Sequence, residues 1–125
     1  MARNKYRAKK ETVDGYTFDS RKEARRYVSL KMLQMAEEIT DLTVHPKFVL
    51  QEGFIWHGKS VRPITYSADF MYHTNKPDTD YPNAYITVVE DVKGGKATQT
   101  RHFKDKVKML KKKYPELDFR IVTEA

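Results

Sequence analysis

At 125 residues the chain has room for one domain of ordinary size and not for two. A formal net charge of +7 and a pI near 9.5 favour a polyanionic partner, nucleic acid before any other, because neutralising phosphates releases condensed counterions. The lack of cysteine excludes disulfides and thiolate zinc sites, and no apolar run approaches the roughly 18 residues of a spanning helix, so a soluble, unsecreted, cytoplasmic protein without membrane contact is expected.

Residues 1–10 form a basic stretch with no apolar period, which predicts a flexible arm able to lie along phosphates or simply a solvated tail; residues 11–125 are expected to form the folded domain. Val13-Asp14-Gly15-Tyr16-Thr17-Phe18 places an Asp-Gly pair between apolar residues, the pattern of a tight hairpin. Ser20 with Glu23 three residues on is a capping box opening a helix, whose apolar residues Ala24, Tyr27, Val28, Leu30, Met32, Leu33, Met35 and Ala36 predict a broad face packed on a sheet. From Ile39 the period falls to two, through Leu42 and Val44, then past His45-Pro46 to Phe48 and Leu50: a strand interrupted or bent at the proline. Gly53 and Gly58 mark a turn near Trp56.

Ile64, Tyr66, Ala68, Phe70 and Tyr72 alternate with Thr65, Ser67, Asp69 and Met71, predicting one strand with Asp69 on the face opposite Phe70. A polar loop over residues 74–83 separates it from a β-branched strand over 84–92, so these two should pair antiparallel. Gly94-Gly95 ends that strand. Thr98 or Thr100 caps a second helix with Phe103, Val107, Leu110 and Tyr114 along one stripe and lysines over much of the rest. Pro115 stops it, and Leu117, Phe119 and Ile121 alternate as a last strand.

In Thr87-Val88-Val89-Glu90-Asp91-Val92-Lys93 the two-residue period sets Asp91 and Lys93 on one face and Glu90 on the other. Asp69 and Asp91 on neighbouring strands could converge on a hard divalent cation, with magnesium expected, and the Val92 backbone carbonyl could complete the protein ligands. Lys93 could then orient or deprotonate an attacking water and offset phosphoryl charge. Read in isolation, an Asp-x-Lys pair is more often an exposed ion pair at a strand end.

The surrounding order changes the weighing: an acid-bearing helix, an Asp on one strand, Asp-x-Lys on the next, then a lysine-rich helix. It resembles the PD-(D/E)XK nuclease superfamily, and the stretches from Val13 to Ala24 and from Val89 to Gly94 resemble a small phage-encoded, Holliday-junction-resolvase-like family placed within it. The resemblance spans most of residues 5–120. It implies an α/β (α+β) restriction-endonuclease-like fold, an αβββαβ core with a mixed sheet flanked by helices, here behind an N-terminal hairpin. It implies catalytic roles for Asp69, Asp91 and Lys93, and for Glu23 as the acid of the first helix, although capping alone explains Glu23. Ala68 stands where the proline that names the motif would be, and Glu90 beside Asp91 offers a rival ligand, which the alternation turns to the other face unless a bulge intervenes, so Asp91 ranks above it.

The function expected is a Mg2+-dependent DNA endonuclease, Mn2+ substituting, acting on branched or recombining DNA, in the host cytoplasm if phage-encoded. A chain with one site would need a homodimer for paired cuts. Arg21, Arg25 and Arg26 on the first helix and Lys104, Lys108 and Lys111 on the second are candidates for backbone phosphates. A DNA-binding accessory protein that retains the fold without cutting is the alternative, and an RNA-binding or regulatory module a third reading. The histidines, none paired at metal-binding spacing, read as structural or surface residues; Trp56, Tyr66 and Tyr81 could stack on unpaired bases, but aromatics at strand spacing are more often core, and no role is assigned to them.

Overall fold

The computed structural model describes residues 10–76, 79–95 and 98–124; the basic arm expected over residues 1–10 lies outside them except for Lys10. Asp14 and Gly15 both adopt positive φ, 52° and 83°, as a two-residue hairpin turn requires, and β1 (Glu11–Val13) pairs across it with β2 (Tyr16–Phe18). The Ser20 side chain then caps α1 (Arg21–Met35) by accepting the Glu23 N–H at 3.1 Å. The buried face of α1 is narrower than its composition predicts. Ala24, Tyr27 and Leu30 are buried with Leu33 at their margin, whereas Val28, Met32 and Met35 form a second stripe that faces solvent, because a helix lying on a sheet buries only one stripe.

β3 (Ile39–Val44) runs up to His45-Pro46 and the chain continues, bent, as β4 (Lys47–Gln51). After the short hairpin of β5 (Phe54–Trp56) and β6 (Lys59–Val61), β7 (Ile64–Ser67) pairs back along β4. The strand expected to run unbroken through Asp69 is in fact two, for β8 (Phe70–Asn75) begins only after a break at Ala68-Asp69. The two breaks face each other: the His45 N–H donates to the Asp69 carbonyl at 2.9 Å and the Ala68 N–H to the Pro46 carbonyl at 3.0 Å. Pro46 has no N–H to give to a ladder and His45 sits at a φ of 54°, so both strands of the ribbon turn at the same level.

β9 (Tyr85–Val92) pairs antiparallel with β8, as expected, and parallel with β10 (Asp118–Val122), giving a mixed four-stranded sheet in the order β10-β9-β8-β3. α2 (Arg101–Lys113) is capped by Thr100, whose Oγ accepts the Phe103 N–H at 3.1 Å; Thr98 instead accepts from the Gly94 N–H and donates to the Gly95 carbonyl. Period-two alternation in β9 divides the core: Val88 joins Phe18, Tyr27, Leu30, Phe70 and Tyr72 under α1, while Val89 joins Leu50, Tyr66, Phe103, Val107 and Leu110 under α2. The result is a mixed α+β domain with one helix on each face of the sheet. Among the described residues no helix is long and apolar enough to cross a membrane.

Candidate active site

The site lies where β8 and β9 part from the bent ribbon. Glu23, one turn into α1, is buried, and its Oε1 lies 3.1 Å from His45 Nε2, so the carboxylate of the capping residue points into the cleft. Asp69 occupies the break between β7 and β8. Its N–H donates to the Glu90 carbonyl and its Oδ2 accepts the Val92 N–H at 2.6 Å, which pins the side chain across the end of β9. Asp91 is buried, with Oδ1 2.9 Å from Lys93 Nζ and Oδ2 accepting from the Tyr66 hydroxyl. Lys93 Nζ also lies 4.3 Å from the centre of the Phe103 ring, so α2 supplies an aromatic floor beneath the ammonium. Glu23, Asp69, Asp91, Val92 and Lys93 line one cavity of about 240 Å3 together with Asp19, Ser20, Gly94 and Thr98.

Glu90, next in sequence to Asp91, is on the other face. It is fully buried, its two oxygens held by Arg26 Nε and Nη2 at 2.7 and 2.6 Å, with a further bond from the Tyr72 hydroxyl. This corrects the place of Arg26 among the phosphate candidates: a guanidinium engaged fork to fork by a buried carboxylate holds α1 to β9 and is not presented to a ligand. Because Glu23 and Arg26 are three apart on α1, that clamp also fixes the rotation of the helix that aims Glu23 into the cleft. Arg21 and Arg25 are exposed, as are Lys104, Lys108 and Lys111. Two other lysines of α2 donate to backbone carbonyls, the half-buried Lys106 to that of Thr65 and the exposed Lys113 to that of Val49.

Burial, and then the nearby charge of Asp91, push the Asp69 carboxyl up to about 8, with Glu23 adding to the rise and the Val92 N–H opposing it. A bound cation reverses that balance by replacing the proton. The donor set fits one. Asp69 and Asp91 offer oxygens, and because the Lys93 N–H donates to the Val122 carbonyl across a trans peptide, the Val92 carbonyl points to the opposite edge of β9, the edge that faces Asp69. Glu23, His45 and Asp69 form a second convergence, with one ligand atom from each lying within 4.8 Å of the others.

His45 is the residue that the sequence reading set aside. Its signal was faint: a histidine before a proline is ordinarily extended, and only the pairing of the two bent strands brings it to Asp69. A left-handed backbone at a non-glycine residue beside a cluster of acids marks a conformation that the surrounding structure has to hold in place. Trp56 and Tyr81, read as core, are exposed instead, whereas Tyr66 is core and touches Asp91.

A family profile described as "Protein of unknown function (DUF1064)" matches residues 3–125. The chain belongs to DUF1064. No curated protein and no solved structure matches it. In this DUF1064 protein the acids and the lysine are thus placed by four elements, α1, the β7–β8 break, β9 and, through Phe103, α2.

Proposed function

We propose that the protein is a divalent-metal-dependent DNA endonuclease of the PD-(D/E)XK kind, hydrolysing phosphodiester bonds at the cleft of Asp69, Asp91 and Lys93. The observation that carries the reading is the convergence of the partly buried Asp69, at the β7–β8 break, with the buried Asp91 of β9 and with Lys93 two residues on, all lining one cavity. Charge supports it: a surface-binding role gains nothing from burying carboxylates beside phosphates, whereas metal-assisted hydrolysis requires them. Asp69, Asp91 and the Val92 carbonyl would hold Mg2+ or Mn2+, and His45, as an imidazole next to Glu23 and Asp69, favours Mn2+ in the adjoining position.

Such a cation supplies Lewis-acid polarisation of the phosphodiester and an acidified water. The chain's own groups do the rest. Asp91 and the Phe103 ring hold the Lys93 ammonium at the mouth of the cleft, where it can orient the attacking water and balance charge developing on the phosphoryl oxygens. Tyr66 fixes the second oxygen of Asp91. Exposed Lys104, Lys108 and Lys111 of α2, with Arg21 and Arg25 of α1, are the remaining candidates for backbone phosphates.

The test is cleavage of labelled single-stranded, duplex and branched DNA with Mg2+ or Mn2+ at fixed low salt, with Asp91→Asn and Lys93→Ala beside the wild type. Metal-dependent cutting lost in both variants, with the fold unchanged by circular dichroism, is the expected result. Binding without cutting by all three proteins would replace the nuclease with a DNA-binding accessory protein.

A further inference from the structure

The ribbon that carries His45 and Asp69 at its root ends in a hairpin whose residues from Phe54 to Ser60 are all exposed. β5 and β6 pair through Phe54 with Val61, Ile55 with Ser60 and Trp56 with Lys59, around His57 and Gly58 at φ of 48° and 78°. Side chains alternate across a strand, yet Phe54, Ile55 and Trp56 are 46%, 69% and 60% exposed, so apolar side chains project from both faces of the hairpin. An isolated two-stranded hairpin is marginal in water, and exposed large apolar residues in a group mark a contact surface.

Charge decides what kind. From Gly53 to Ala68 the chain has Lys59 and Arg62, both exposed, and no carboxylate. The acid just before that stretch in sequence, Glu52, lies 3.9 Å from Lys113. A second copy docking hairpin to hairpin would bring like charges together, whereas a polyanion with apolar bases complements both the cations and the rings. Trp56 has the His57 ring beside it, ring centres 4.2 Å apart and nearly perpendicular at 82°, and most of the indole still faces solvent.

Resting on the nuclease reading, we propose that the β5–β6 hairpin is a wedge for DNA with unpaired bases at a branch point: Trp56 and Phe54 stack on the unpaired bases, and Lys59 and Arg62 take the flanking phosphates. Base-aromatic stacking tolerates any sequence because every base has a π-face. Both strands of the ribbon lead back from the hairpin, past an irregularity in register between Val49 and Gln51, to the kink that holds Asp69, so the tip is tied to the acids by a chain contour of roughly 35 Å at about 3.3 Å per residue. The wedge would thus select the structure of the DNA while the cleft does the cutting.

Trp56 is the one tryptophan of the chain, so indole fluorescence reports on this hairpin alone. The experiment titrates the full chain, in EDTA, with a forked duplex that has unpaired arms and with a fully paired duplex of equal length, and follows Trp56 emission and binding anisotropy. Expected are saturable quenching by the fork and little by the duplex, with Trp56→Ala binding the fork roughly ten-fold more weakly and Trp56→Phe close to wild type, on the scale of a single stacking contact. Equal fork binding by Trp56→Ala, equal quenching by both DNAs, or no binding would each overturn the wedge. So would a blue shift that grows with protein concentration before DNA is added, which would mean that a second copy covers the hairpin. Cleavage in Mg2+ or Mn2+, measured separately, isolates the other question: cutting with no stacking overturns the wedge alone, and stacking with no cutting overturns the nuclease alone.

Discussion

Glu90 and Asp91 are chemically near-identical neighbours with opposite tasks, separated only by the side of β9 on which each falls. The buried Glu90 clamp is structural, and Arg26→Ala removes its only bonded cation among the described residues and leaves the Tyr72 hydroxyl as its remaining side-chain partner, so that variant should lose about 3 to 5 kcal/mol of stability by urea unfolding. A loss below about 1 kcal/mol would mean that Glu90 is satisfied without the guanidinium. Asp69 makes a prediction about pH. Its carboxyl is held at about 8 when folded and titrates at about 3.9 when unfolded, so between those values the metal-free folded chain holds a proton that the unfolded chain has lost. The stabilisation due to that proton is complete below about pH 4 and is gone above about 8, and the stability of the metal-free protein therefore falls as pH rises through that window. Melting temperatures in EDTA from pH 5 to 8.5 should show the fall, and Asp69→Asn, which mimics the protonated acid, should fall less steeply. Equal slopes would mean that Asp69 is ionised throughout. Added Mn2+ should raise the wild-type melting temperature, and His45→Ala should reduce that rise more for Mn2+ than for Mg2+.

The elements show what is legible in the sequence and what is not. Both helices, the Ser20 cap, the Asp14-Gly15 hairpin and the antiparallel β8–β9 pair follow from local patterns, because caps, turn residues and side-chain periods act within a few residues; for the second helix the pattern narrows the cap to Thr98 or Thr100, and the structure has Thr100. The same alternation places Asp91 and Lys93 side by side and Glu90 away from them. The break at Ala68-Asp69 was invisible, since the alternation of Ile64 to Tyr72 continues straight across it. It arises from the pairing of Ala68 with Pro46 and of Asp69 with His45, partners more than twenty residues away. The pairing of Arg26 with Glu90 was equally non-local, and so was the exposure of Val28, Met32 and Met35. At this scale α2 carries its own test. If Lys104, Lys108 and Lys111 contact phosphates, replacing each with alanine should lower the slope of log K against log salt by about one and weaken binding to every DNA alike. A loss confined to one sequence would assign the helix to base reading instead.

At the scale of the whole molecule the domain has one cleft with the acid-acid-lysine set among its described residues. A single chain acting alone would cut one strand per encounter, so a supercoiled plasmid should accumulate nicked circles before linear DNA appears. Direct conversion to linear product, with a rate that rises as the square of protein concentration, would show instead that two copies cut together.

The bent ribbon also has a consequence for how such a chain can diversify. Residues 53–63 leave and rejoin the ribbon at neighbouring points, since a Cβ at Gly53 would lie 2.9 Å from the Val61 carbonyl and 3.2 Å from the Pro63 ring. The excursion is therefore a detachable loop in the topological sense, entered and left through one narrow neck, and loop closure cost grows only slowly with length. Its tip can be shortened, extended or exchanged while the acids keep their positions, so under the proposed function target choice and chemistry would be free to change independently.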